Sequence, residues 1–149
     1  MTRLFLLFLT LIVPSVSLGE PSAVEHILDD SGVRGGLVVH IGCADGKLTA
    51  ALRANEAYRV HGLDMRAENV AAARRHIQSL GLYGEVSVER WDGEHLPYVD
   101  NLVNLVVADE LDAAAMSEVM RVLCPEGVAY VGSDGKWTKT VKPRPKVID

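Results

Sequence analysis

Four places in this chain combine residue types and spacing that suit chemistry. The first is a small-residue loop, Gly42-Cys43-Ala44-Asp45-Gly46, directly after the apolar run Leu37-Val38-Val39-His40-Ile41. Small residues let a backbone approach a ligand closely and let its N–H groups face that ligand. The same loop also suits an ordinary strand-to-helix turn. The dinucleotide fingerprint G-x-G-x-x-G, counted from Gly42, requires glycine at 44 and 47, where Ala44 and Lys47 stand. That mismatch speaks against an NAD-linked oxidoreductase. The second place is Asp64, which closes the run Tyr58–Leu63 and lies 18 residues past Gly46. A carboxylate so placed can accept hydrogen bonds from both ribose hydroxyls, and in isolation it would equally suit a helix cap. The third is Trp91-Asp92-Gly93, in which Asp-Gly is a common turn pair. The fourth is Asp109-Glu110, after the apolar run from Leu102 to Ala108. Either carboxylate could serve as a base, although a solvated loop is the plainer reading. His40, His61 and His95 stand alone, and no nucleophile–base–acid set is visible. Cys43 and Cys124 fit no metal-ligand spacing, so no metal site is expected.

The elements that must position these residues follow from periodicity. Ser22-Ala23-Val24-Glu25 has the form of a capping box, with Val24, Ile27 and Leu28 at helical spacing and Gly32 as a stop. Leu37–Ile41 reads as a buried strand and Lys47–Ala54 as a helix. Tyr58–Leu63 reads as a second strand, and Ala67–Leu80, stopped by Gly81, as a second α/β crossover helix. Val86 and Val88 mark a third strand, and Leu102–Ala108 a fourth. Asp112 can cap a helix through Met116, Val119, Met120 and Leu123. Pro125-Glu126-Gly127 then turns the chain into a fifth strand over Val128–Val131. Helices alternating with apolar strands predict βαβ units and a doubly wound parallel sheet covered on both faces. Ligands on such sheets bind at the carboxyl ends of the strands. Cys43 and Cys124 would then lie at opposite ends of the sheet. A disulfide needs Cα atoms within about 7 Å, so no bridge is expected.

The chain has 149 residues and a net charge of −5, which argues against phosphate-driven binding of nucleic acid. Its first residues read differently from the rest. Arg3, the apolar run Leu4–Val13, the break at Pro14-Ser15 and the small residues Ser17 and Gly19 have the layout of a secretory signal peptide. A membrane span needs roughly twenty apolar residues, more than this run supplies. The expected organisation is a signal peptide over 1–19, a domain over 20–132, and a linker or tail over 133–149. The protein would be exported, or cytoplasmic if the signal does not function, with membrane contact only through that signal. Lys136, Lys139, Lys142, Arg144 and Lys146 read as a solvated basic tail.

Taken in order, these features resemble a class I S-adenosylmethionine-dependent methyltransferase. Val38–Thr49 is similar to the first motif of that family, Asp64 to its second-strand acid, and Asp92 to its adenine-contacting acid. The run Glu118-Val119-Met120-Arg121-Val122-Leu123-Cys124-Pro125-Glu126-Gly127 resembles the segment that usually reads E-x-x-R-V-L-x-P-G-G. The resemblance spans about residues 37–131 and implies a Rossmann-like α/β sheet of order 3-2-1-4-5. S-adenosylmethionine would lie across strands one, two and four. Gly42, Ala44 and Gly46 would line its methionine and ribose side, Asp64 would hold the ribose, and Asp92, with Trp91, would hold the adenine; His40, at the family's acid position near the methionine ammonium, and Cys43 and Met65 are further cofactor-binding candidates. Asp109 and Glu110 are the candidate catalytic groups, and the partner would be a small-molecule or protein methyl acceptor. Two departures stand out: His40 replaces an acid and Ala44 replaces a glycine. The family also carries strands six and seven, which the sequence past Gly132 is expected to lack. The alternatives are an active enzyme and a non-catalytic binding or structural module of a larger exported protein with a C-terminal fused domain.

Overall fold

A computed structural model describes residues 22–133 and 136–146; the signal-peptide reading of 1–19 lies outside them. Helix α1 spans Ala23–Ser31 and begins as its capping box requires. Ser22 Oγ accepts from the Glu25 N–H at 3.2 Å, and the Glu25 carboxylate accepts from the Ser22 N–H at 2.8 Å. The helix stops at Gly32, whose φ of 71° is left-handed. The chain continues through β1 (Gly36–Ile41), α2 (Lys47–Ala51), β2 (Tyr58–Asp64), α3 (Ala67–Ser79), β3 (Val86–Arg90), β4 (Val103–Asp109), α4 (Ala113–Val122), β5 (Leu123–Ser133) and β6 (Lys136–Val141).

These strands form one sheet in the order β3-β2-β1-β4-β5-β6, parallel from β3 to β5. Strand alternation divides the core into two layers. Val38, Val60, Leu105 and Tyr130 pack with Ile27, Ala50, Ala73 and Ile77 of α1, α2 and α3. Val39, Leu63, Val106 and Ala129 pack with Val119 and Val122 of α4. Burial on both faces is why the central strands read as unbroken apolar runs. The chain order reverses between β1 and β4, which opens a crevice at their carboxyl ends.

Three expectations need correction. Helix α2 covers only Lys47–Ala51, because Asn55 turns the chain: its Oδ1 accepts from the Ala57 N–H at 2.8 Å. Strand β5 is longer than Val128–Val131. It starts at Leu123 and passes an irregularity in register, with Glu126 at φ 66°. The largest correction concerns residues 133–149, read as a linker that would leave the sheet without further strands. Lys136–Val141 instead pair antiparallel with β5, from Ser133↔Lys136 to Val128↔Val141. No seventh strand occurs among the described residues.

Three basic residues of this segment, Lys139, Lys142 and Arg144, are bonded to the domain, while Lys136 and Lys146 are exposed. Trp137 stacks on the buried Tyr130, with ring centroids 5.2 Å apart. Gly132 makes room, since a Cβ there would sit 3.0 Å from the Trp137 ring. Lys142 Nζ donates to Leu123 O and Asn101 Oδ1 at 2.7 Å and to Arg121 O at 3.2 Å. Lys139 Nζ donates to Asp30 O at 2.7 Å, and Arg144 pairs with Glu126 at 2.6 Å. Two of these lysines neutralise carbonyls at helix C-termini, where a cation is favoured. Composition alone cannot show that preference. Cys43 and Cys124 are both free thiols.

Candidate functional site

A cleft of about 560 Å³ opens at the carboxyl ends of β1 and β2, walled in part by Gly42, Asp64, Met65 and Trp91. Its floor is the loop after β1. The Gly42 and Cys43 N–H groups both donate to Leu63 O, at 2.8 and 3.1 Å, which folds the loop back over β2. Gly42 has φ 82°, and a Cβ there would meet nothing within 4 Å, so its glycine serves the backbone conformation and leaves an open face. Gly46 serves packing instead. With φ 80°, it lets α3 approach so closely that a Cβ would sit 2.8 Å from the Ala73 Cα. Ala44, between them, is held left-handed at φ 46°. That conformation costs an L-residue roughly 1–2 kcal/mol, which explains why small, permissive residues suit the position.

Asp64 joins this loop to β2 and α3. The residue is buried, at 6% exposure. Its Oδ2 accepts from the Ala44 N–H at 3.0 Å and its Oδ1 from the Arg66 N–H at 2.9 Å. Asn69 Nδ2 donates to both oxygens, at 3.1 and 3.2 Å. A carboxylate that accepts several charge-assisted bonds is fixed in orientation.

The opposite wall comes from the chain after β3. Trp91 is buried and its indole N–H donates to His95 O at 2.8 Å. Gly93 sits against the Met65 thioether, where a Cβ would come within 3.0 Å of Met65 Cε. Asp92 stands beyond this wall and borders a neighbouring recess of about 360 Å³ with Met65, Arg90 and Trp91. Its Oδ1 accepts from the Glu94 and His95 N–H groups at 2.8 and 3.2 Å, and these donors hold its carboxyl below the usual range.

The segment from Asp92 to Leu102 has no helix of its own and is clamped by α4. Glu118 accepts from the Leu96 N–H at 2.8 Å and from Arg121 at 2.8 and 2.9 Å. Arg121 reaches on to Tyr98 O, Leu96 O and Asp100. The guanidinium and the Leu96 N–H bring the Glu118 carboxyl down to about 2. The E-x-x-R spacing thus puts an acid and a guanidinium one turn apart, where together they seize a loop backbone. From the other side, His61 Nδ1 bonds to the Tyr98 hydroxyl.

The candidate residues do not all meet in the cleft. Gly42, Asp64, Met65 and Trp91 come together there, while Ala44 and Gly46 brace its floor from behind. Cys43 is 2% exposed, and burial, aided by the Asp64 charge, pushes its thiol up to about 12. His40 lies under the floor with Nδ1 2.8 Å from Thr49 Oγ1. Asp109 is exposed at the end of β4. Glu110 follows in a left-handed conformation, φ 39°, with its N–H donating to Gly132 O at 2.8 Å. It lines both the cleft and an adjoining recess of about 520 Å³ shared with Leu111, Asp112 and Val131. Sequence reasoning missed Arg66, Asn69 and Leu111 as wall residues, and it read Asp112 only as a cap. Asp112 does cap α4, accepting from the Ala115 N–H at 2.7 Å, but it also borders the cleft. The only prior signal for Asn69 was its place on the first turn and a half of the helix after Asp64.

Burial lowers the His40 pKa to about 4, against the opposing pull of the Asp109 and Asp64 charges. The imidazole is therefore neutral in the fold at pH 7. Below its ordinary value of 6.5 the unfolded chain takes up a proton that the folded chain refuses. Stability contributed by this group is thus lost as pH falls from 6.5 towards 4, by about 3 kcal/mol in full. His61, also lowered chiefly by burial, acts with the same sign. Urea unfolding between pH 7 and 4 should show the decline, and His40→Gln should make it shallower. An unchanged slope in that variant would refute the assignment.

Comparison with known proteins bears on this geometry. A family model described as a methyltransferase domain matches residues 38–127. The methyltransferase GfsG of Streptomyces halstedii is 32% identical over 96 residues, which cover 60% of this chain and 34% of that protein. A Methanococcus maripaludis protein described as a candidate S-adenosyl-L-methionine-dependent methyltransferase superposes with TM-score 0.68 at 26% identity, over 73% of this chain and 52% of that one. A geranyl diphosphate methyltransferase solved with S-adenosylmethionine gives TM-score 0.66 at 21% identity, over 72% and 46%. The chain therefore spans about a third of the curated relative and about half of the solved ones.

Proposed function

Because this chain belongs to the methyltransferase-domain family, we propose that it forms the S-adenosylmethionine-binding core of an enzyme that methylates a small-molecule or protein acceptor. The observation that carries the reading is Asp64, a buried carboxylate that holds the small-residue loop through the Ala44 N–H and borders the cleft. The residues present fit an adenosyl ligand. The cleft volume of about 560 Å³ lies within the usual range for small-molecule sites. Gly42 leaves backbone open to close approach, Asp64 offers a carboxylate acceptor to the ribose, and Met65 and Trp91 supply apolar walls for a purine. Asp92 lies outside the cleft, on the neighbouring recess, and its role toward the exocyclic amino group rests on the family resemblance alone. His40 brings no negative charge to the methionine end, but Glu110 and Asp112 on the facing wall do, which suits an ammonium and a sulfonium.

When bound, S-adenosylmethionine supplies an electrophilic methyl group on sulfur. The protein's share is to hold cofactor and acceptor in line, so that methyl transfer becomes effectively intramolecular. Glu110, at the junction of the two recesses, is the candidate for taking up the acceptor's proton, with Asp109 beside it. Titration calorimetry of the folded domain with S-adenosylhomocysteine should give a micromolar dissociation constant. Absence of binding at millimolar ligand would refute the proposal and favour a non-catalytic module.

A further inference from the structure

Asp64 is already heavily engaged by the protein. A carboxylate offers about four lone-pair sites, and three donor groups already make four contacts with this one: the Ala44 N–H, the Arg66 N–H and the Asn69 amino group, which is shared between both oxygens. A vicinal diol brings two hydroxyl donors, which is more than the remaining capacity accepts comfortably. Asn69 resolves the mismatch. A carboxylate can only accept, so the Asn69 amino group must be the part that faces it, at 3.1 and 3.2 Å. The Asn69 carbonyl is therefore turned away from Asp64. The residue is half-buried on the wall of the same cleft, and no hydrogen bond to that carbonyl occurs among the described residues.

We propose that Asn69 is a second ribose-reading residue, so that one hydroxyl of the ligand donates to Asp64 and the other to the Asn69 carbonyl. This rests on the adenosyl-ligand reading above. It predicts a site that selects an intact ribose, because removal of either hydroxyl leaves a desolvated acceptor unpaired. A purely structural Asn69, serving only to orient Asp64, would not make the two hydroxyls separable.

The test uses the wild-type chain and Asn69→Ala with S-adenosylhomocysteine, 5′-deoxy-5′-methylthioadenosine, and the 2′-deoxy and 3′-deoxy forms of the latter. In the wild type, each deoxy form should bind about tenfold more weakly than the ribose form, the ordinary cost of one unpaired polar group. Asn69→Ala should bind the ribose form about tenfold more weakly. It should also cease to distinguish one deoxy form while still rejecting the other through Asp64. Full retention of both discriminations, or loss of both together, would overturn the proposal. Equal wild-type binding of ribose and deoxy forms would overturn it without any variant. Failure of the wild type to bind S-adenosylhomocysteine is a different result: it removes the cofactor reading itself, and this inference with it.

Discussion

A chain cut after Ser133 is expected not to fold. The cut removes the six-residue antiparallel partner of β5, from Lys136 to Val141. Tyr130, 2% exposed, would lose the Trp137 ring stacked on it, and the apolar layer beneath α1 would open to water. The carbonyls of Arg121 and Leu123 would lose the Lys142 ammonium, and Asp30 O would lose Lys139. An aromatic pair contributes about 0.5–1.5 kcal/mol beyond its buried area. Hydrogen bonds to charged groups contribute about 1.5–3 kcal/mol each, with exposed ones at the low end. Together with the lost strand ladder, the effect should exceed roughly 5 kcal/mol, the lower end of the whole stability of a small domain. Far-ultraviolet circular dichroism with urea titration is the direct measurement. A cooperative transition within about 1 kcal/mol of the full chain would show that β6 is dispensable. Trp137→Ala should give a graded version of the same loss, about 2 kcal/mol, because that ring is only half-buried.

Asp64→Ala should reduce S-adenosylhomocysteine binding by about a hundredfold, equivalent to about 2.7 kcal/mol. The carboxylate is the junction of three elements: the loop after β1 through Ala44, the end of β2 itself, and the start of α3 through Arg66 and Asn69. Its loss leaves the left-handed Ala44 without the bond that holds it. The domain should remain folded but lose about 2–3 kcal/mol, the cost of leaving two backbone N–H groups in a partly buried place without their acceptor. Urea midpoint and calorimetry on the same preparation separate the two effects. Binding within threefold of the wild type in a folded Asp64→Ala variant would remove the ribose role. Asp64→Asn, which keeps one acceptor oxygen without the charge, should fall between the two.

Much of the sheet was legible from local pattern because its centre is buried on both faces. Runs such as Leu37–Ile41 and Leu102–Ala108 are apolar for that reason, and the alternation with helices leaves few topologies. The pairing of Asp64 with the small-residue loop was also legible, since both sit at tips of adjacent parallel strands and their spacing follows from one crossover. Strand β6 was not legible. Lys136, Thr138, Lys139 and Thr140 are polar because the strand lies at the sheet edge, and the contacts of Lys139 and Lys142 are with residues far off in the chain. The site residues missed have a similar cause. Asn69 is one of many polar positions on an amphipathic helix, and only the direction of its amide, set by Asp64, distinguishes it. Gly46 looked like a ligand-facing residue, whereas three-dimensional packing against Ala73 is what excludes a side chain there.

The bond from Lys139 to the end of α1 joins residues 109 positions apart. The helix synthesised early therefore waits for the strand synthesised late before its last turn is satisfied. The middle of the sheet has the same property, because β1 needs β4 on one flank. Such a high contact order slows folding and delays it until nearly the whole domain is available. During that interval the apolar faces of β1 and β2 lie bare, which makes the nascent chain a client for chaperones and a risk for aggregation. A partial chain emerging from the ribosome should remain protease-sensitive until residues 136–142 have appeared.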